Sequence, residues 1–171
     1  MLNRISHWLY PLTRSMHFIS GMILVSMMFV TLADVTTRSL FEMTSGQLDL
    51  TFVGGVEIIK YGLLITVFFC LPHSVERSQV MVDLFTNNLS ERKKAALHGF
   101  FIMGYVFLGA AMSYQFYLSA EDALMTRETT QDLQISVSYF YWIVSAASAV
   151  LAVAALVSSL RLMFGSEEKK S

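Results

Sequence analysis

Charge is the scarcest ingredient of this sequence. Asp, Glu, Lys and Arg make up 15% of it, well under the quarter usual for a soluble domain, while 54% is hydrophobic. Cysteine is almost missing. The single one, Cys70, excludes an intrachain disulfide and any cysteine-based metal cluster or redox pair. No nucleophile stands at motif spacing from a base, no group of residues has metal-ligand spacing, and no glycine-rich phosphate loop is present, so the usual enzyme signatures are absent. A net charge of −1 supplies no basic surface for nucleic acid. Beyond the apolar stretches, only residues 1–14 and 76–94 could form structure outside a membrane, and neither could bury a globular core.

What the sequence does contain is four nearly uncharged runs. A helix rises about 1.5 Å per residue, so about 20 apolar residues cross a hydrocarbon layer of about 30 Å. This predicts an all-α membrane protein with spans at about 15–41, 50–75, 95–120 and 133–163, in one four-helix membrane domain covering residues 1–171. The first run is too long for a signal peptide, continues into Asp34–Arg38 and has no small-x-small cleavage site, so it reads as a retained span. Ahead of it, Leu2, Ile5, Leu9 and Leu12 recur at helical spacing with Trp8 beside them. That spacing predicts an amphipathic interfacial helix over residues 1–14, with a joint at Pro11. The link at 76–94 reads as a second interfacial segment, and Thr130 or Asp132 as the cap of span four.

Basic residues set the expected orientation. Arg4, Arg14, Arg77, Arg92, Lys93, Lys94, Arg161, Lys169 and Lys170 fall on the side of the termini, with only Arg38 and Arg127 opposite. The positive-inside rule then places both termini in the cytoplasm. Trp8, Arg77, Arg92, Lys93, Lys94 and Trp142 are the candidate interfacial anchors. Span four carries rows of small residues four apart, Ser148 and Ala152, Ala154 and Ser158, Ala155 and Ser159, which let helix backbones approach closely in lipid.

Four charges lie within or beside the spans. Asp34 and Arg38 are four apart, Glu57 and Lys60 three apart, and both pairs fall near the same membrane surface. An unpaired charge in lipid costs on the order of 2.5–3.5 kcal/mol at the helix centre, so such groups pair or face protein. Two positive and two negative charges sum to zero. The set therefore reads as an electrostatic clasp between spans one and two, or as a partner-docking site, in preference to an ion pathway. His17, His73 and His98 lie near the span ends that face the termini, and a His73–His98 pair is the one candidate for haem ligation. With continuous spans and few interior polar groups, the chain reads as a scaffold or accessory subunit.

The order of these features resembles a known family. Asp34-Val-Thr-Thr-Arg38-Ser-Leu-Phe41 is similar to the end of the first helix in the small membrane subunit, DctQ type, of tripartite ATP-independent periplasmic (TRAP) transporters. Glu57 matches the acidic position early in that family's second helix. Leu71-Pro72-His73, Val80-Met81-Val82-Asp83-Leu84-Phe85 and Leu89-Ser90-Glu91-Arg92 resemble its cytoplasmic link. The sequence departs from the family pattern at Val53-Gly54-Gly55-Val56-Glu57, where an aromatic residue and paired acids are usual before the second helix, and at Arg77-Ser78-Gln79, where a His-basic sequence is usual. The resemblance implies a non-enzymatic subunit of the bacterial inner membrane with no cofactor of its own. Its implied partners are lipid, a large elevator-type subunit that carries the coupling sodium, and a periplasmic protein that delivers an organic acid, a carboxylate or sulfonate. A haem-binding anchor of a respiratory enzyme and a self-contained small transporter are the alternatives.

Overall fold

The computed structural model describes residues 2–45, 50, 53–77 and 91–164, with side chains over 9–45, 50, 53–75 and 97–161. Four α-helices account for most of them: α1 Leu2–Met43, α2 Gly55–Arg77, α3 Glu91–Thr126 and α4 Val137–Phe164. Each contains a stretch long and apolar enough to cross a membrane, namely Leu9–Met43, Gly55–Val75, Leu97–Thr126 and Val137–Arg161. Among the described residues there is no strand, only one bridge between Thr129 and Ser136 in the turn between α3 and α4.

Two antiparallel hairpins, α1–α2 and α3–α4, make up the bundle. They join where α4 packs against α2 and, less extensively, α1. The arrangement puts α4 in the centre and leaves α1 and α3 at the edges. Val144, Ala147, Leu151, Ala154 and Ala155 of α4 are buried, together with Ser138, Ser148 and Ser159. Toward the α3–α4 turn the core joins Met16, Phe68, Val144 and Ala147, and Phe116 meets Phe68 edge to face at 5.4 Å. Toward the termini it joins Val75, Ile102, Leu151 and Ala155.

Small residues decide how closely α3 and α4 meet. A Cβ added at Gly109 would lie 2.9 Å from the Ala152 nitrogen and 3.1 Å from its Cα, so the two backbones touch there. On either side of this contact, hydroxyls bond across the seam. Ser113 donates to the Ser145 carbonyl at 3.0 Å, Ser145 donates back to the Ser113 carbonyl at 2.8 Å, and Ser159 donates to the Gly99 carbonyl at 3.0 Å. Lipid offers little hydrophobic drive for helix association, and close packing with such bonds takes its place.

Four boundaries differ from the sequence expectation, one of them the end of α3, which runs to Thr126 and not to about 120. Residues 2–43 form one helix that runs through Pro11, in place of a separate surface helix and a joint. Proline removes one N–H donor, and the apolar stretch already begins at Leu9, before Pro11, so no break separates leader from span. The second helix begins at Gly55 and not near Leu50, because Val53–Gly54 form a turn in which Gly54 takes a φ of 94°. The fourth begins at Val137, after a structured turn, so neither Thr130 nor Asp132 stands at its start. Residues 78–90 of the expected interfacial link lie outside the described residues.

Candidate functional site: charges at the turn end of the bundle

The end of the bundle that carries the α3–α4 turn gathers the four charged residues singled out by the sequence, but it does so in three separate arrangements. On α1, Arg38 Nε lies 2.9 Å from Asp34 Oδ2, one helical turn away. Asp34 is buried and Arg38 is exposed, so the guanidinium closes the carboxylate off from the surface. Asp34 Oδ1 has no hydrogen-bond partner among the described residues.

Glu57 turns away from its expected neighbours. It stands in the first turn of α2, and its carboxylate accepts the backbone N–H of Asp132 at 2.9 Å and of Leu133 at 3.0 Å. Both donors belong to the α3–α4 turn, so this one side chain ties the first hairpin to the second. Gly54 completes the contact: an added Cβ would come within 2.7 Å of Leu133 Cδ2. The turn is itself internally bonded. Thr130 N–H donates to the Ile135 carbonyl at 2.9 Å, Ile135 N–H donates to Thr130 Oγ1 at 3.1 Å, and Val137 N–H donates to the Glu128 carbonyl at 3.1 Å. Arg127 and Gln134 adopt positive φ of 53°, which lets the chain reverse within this short segment.

Lys60 completes neither pair. Its Nζ lies 5.1 Å from the centroid of the Tyr61 ring, and Tyr61 stacks on Phe140 of α4 at 4.2 Å. Lys60 is exposed and makes no ion pair among the described residues. The single four-charge clasp expected from the sequence is therefore replaced by an ion pair within α1, an interhairpin latch at Glu57 and a lone cation on the face of α2. The cause is the later start of α2, which moves Glu57 to the helix end and into reach of unpaired N–H groups in the turn.

The opposite end holds the histidines. His17 and His73 rings lie 5.0 Å apart, with Tyr10 6.3 Å from His73, and Cys70 Sγ lies 3.4 Å from His17 Nδ1 and 3.4 Å from Ser74 Oγ. His98 is buried on α3, and neither ring nitrogen has a hydrogen-bond partner among the described residues. No group of three or more His, Cys, Asp or Glu that could hold a metal is found among the described residues. Of the interfacial anchors, Trp142 is exposed and meets Tyr117 edge to face at 5.1 Å, while Tyr117 donates to Glu121 at 2.8 Å. Trp8, Arg77, Arg92, Lys93 and Lys94 lie on helices, but their side chains fall outside the described ones.

Sequence reasoning missed the contacts that join distant segments. Nothing local in the sequence points Glu57 at Asp132, His17 at Cys70 or Ser113 at Ser145. The glycine pair at Gly54-Gly55 was an available sign that a turn immediately precedes α2.

Comparison with known proteins gives one result. A family model described as Tripartite ATP-independent periplasmic transporters, DctQ component, matches residues 27–165, from the middle of α1 to the end of α4. No curated protein and no solved structure matches the chain.

Proposed function

Because the chain belongs to the DctQ family, the small membrane component of TRAP transporters, we propose that it braces a large elevator-type membrane subunit during sodium-coupled uptake of an organic acid. In this reading a periplasmic binding protein delivers the substrate, a carboxylate or sulfonate, and the large subunit carries substrate and sodium. The small subunit stays still. It sits in the inner membrane with both termini in the cytoplasm, which turns the α3–α4 turn and Glu57 toward the periplasm.

The observation that supports a brace over a conduit is how the polar groups are used. Asp34 is bound to Arg38, Glu57 to the α3–α4 turn, and Ser113, Ser145 and Ser159 to backbone carbonyls across the α3–α4 seam. Asp34 and Arg38 neutralise each other within α1, and the other groups hold separate segments together. A solute pathway would need polar groups facing a shared cavity near the bilayer midplane. Among the described residues, the groove of about 440 Å³ between α1 and α2 is open and mostly apolar, lined by Ile19, Met22, Ile23, Met27, Val30 and Ile58 with Ser26 as its one hydroxyl.

Reconstitution tests the proposal. Liposomes holding this chain together with its large subunit and binding protein take up substrate under a sodium gradient, whereas liposomes holding this chain alone do not. Uptake by the chain alone would refute the bracing role, and a Soret band in the purified chain would favour a haem-binding anchor.

A further inference from the structure

Among the described residues, Lys60 is a cation with no anionic partner. Helix α2 begins at Gly55, so at about 1.5 Å per residue Lys60 lies about 7.5 Å along the span from its start. Both carboxylates that the sequence places near it are committed elsewhere: Asp34 to Arg38, and Glu57 to the Asp132 and Leu133 N–H groups. Around it runs an unpartnered apolar stripe. Val56, Leu63 and Val67 are all exposed and, with Lys60, recur at intervals of four, three and four residues on one face of α2. An ionisable group on such a face is expensive in lipid and ordinarily meets a counter-charge or other protein.

We propose that this stripe of α2 is the docking face for the large membrane subunit, through a helix that is apolar apart from one carboxylate level with Lys60. The inference rests on the subunit assignment above and adds to it the face and the charge that make the contact. Charge complementarity identifies the occupant. A lipid phosphate could answer the cation alone, but Leu63 and Val67 continue the exposed stripe one and two turns deeper, beyond the headgroups. The ammonium is also held beside the helix, over the Tyr61 ring, and that ring is fixed by stacking on Phe140.

The test uses this chain co-expressed with its large subunit. A photo-crosslinking residue at Leu63 forms an adduct with the large subunit, and the same residue at Phe107, exposed on α3, does not. Co-purification of the large subunit falls about tenfold or more in Lys60→Glu, falls several-fold in Lys60→Met, and stays within about twofold of wild type in Lys60→Arg. Size-exclusion profiles of the variants expressed alone separate a docking defect from misfolding, and the Leu63 crosslink needs no change at Lys60. Full co-purification with both Lys60→Glu and Lys60→Met would overturn the proposal, as would a Leu63 adduct with lipid only. An adduct from Phe107 and none from Leu63 would move the partner to the other edge while leaving the subunit assignment standing. Failure of the wild-type chain to retain any large subunit would remove that assignment, and this docking face with it.

Discussion

The two hairpins are held together in different ways. In α3–α4, Gly109 rests on the backbone of Ala152, and hydroxyls of Ser113, Ser145 and Ser159 bond across the seam to carbonyls of the facing helix. In α1–α2, the close approach at Gly62 is filled by the end of the Met27 side chain, an open groove lies alongside, and Cys70 approaches His17 across the helices at 3.4 Å. One seam is backbone on backbone; the other is a flexible thioether on a glycine. Methionine fills irregular gaps and adapts when its surroundings change. The difference teaches that equally apolar helices can form one rigid pair and one compliant pair, depending on what occupies the few positions of closest contact.

Substitutions at those positions test the contrast, read as shifts in reversible unfolding in mixed micelles. The largest effect belongs to Gly109→Leu, where the Ala152 backbone cannot yield. The α3–α4 seam then opens at a cost of about 3 kcal/mol, whereas Gly104→Leu, with nothing within 4 Å, stays near wild type. Glu57→Ala comes next. It removes the shared acceptor of two backbone donors of the turn and loosens the second hairpin from the first, and amide exchange at Asp132 and Leu133 rises with it. Ser113→Ala combined with Ser145→Ala removes the reciprocal pair and costs about 1 kcal/mol, in line with about 0.6 kcal/mol for a typical interhelical bond in lipid. The smallest effect is that of Gly62→Ala, within about 0.5 kcal/mol, because Met27 can swing aside. A loss at Gly62→Ala equal to that at Gly109→Leu would erase the distinction between the seams.

The sequence and the structure agree where composition alone decides. Four spans follow from four uncharged runs, and Asp34–Arg38 follows from a four-residue interval on one helix. The small residues of span four also point to its central place: Ser148, Ala154, Ala155 and Ser159 are all buried. Agreement ends where the chain folds back on itself. Hydropathy ran through Leu50 and Val53 without a pause, so the sequence could not separate turn from helix there except through Gly54-Gly55. The destination of Glu57 depends on a turn 75 residues away, and no local pattern encodes it. Ser145, which lies outside the rows read from span four, bonds across to α3 because Gly109 lets the two backbones meet.

Helix α1 brings a further consequence. Its candidate span, Leu9–Met43, has 35 residues, Arg14, Asp34, Arg38 and Glu42 among them, and would measure about 52 Å, against a hydrocarbon layer of about 30 Å, while the corresponding part of α2, Gly55–Val75, has 21 residues and is close to that thickness. The two members of one hairpin thus call for different postures. The longer one reaches past the hydrocarbon into both interfaces, where Arg14 at one end and the Asp34–Arg38 pair at the other meet the headgroups.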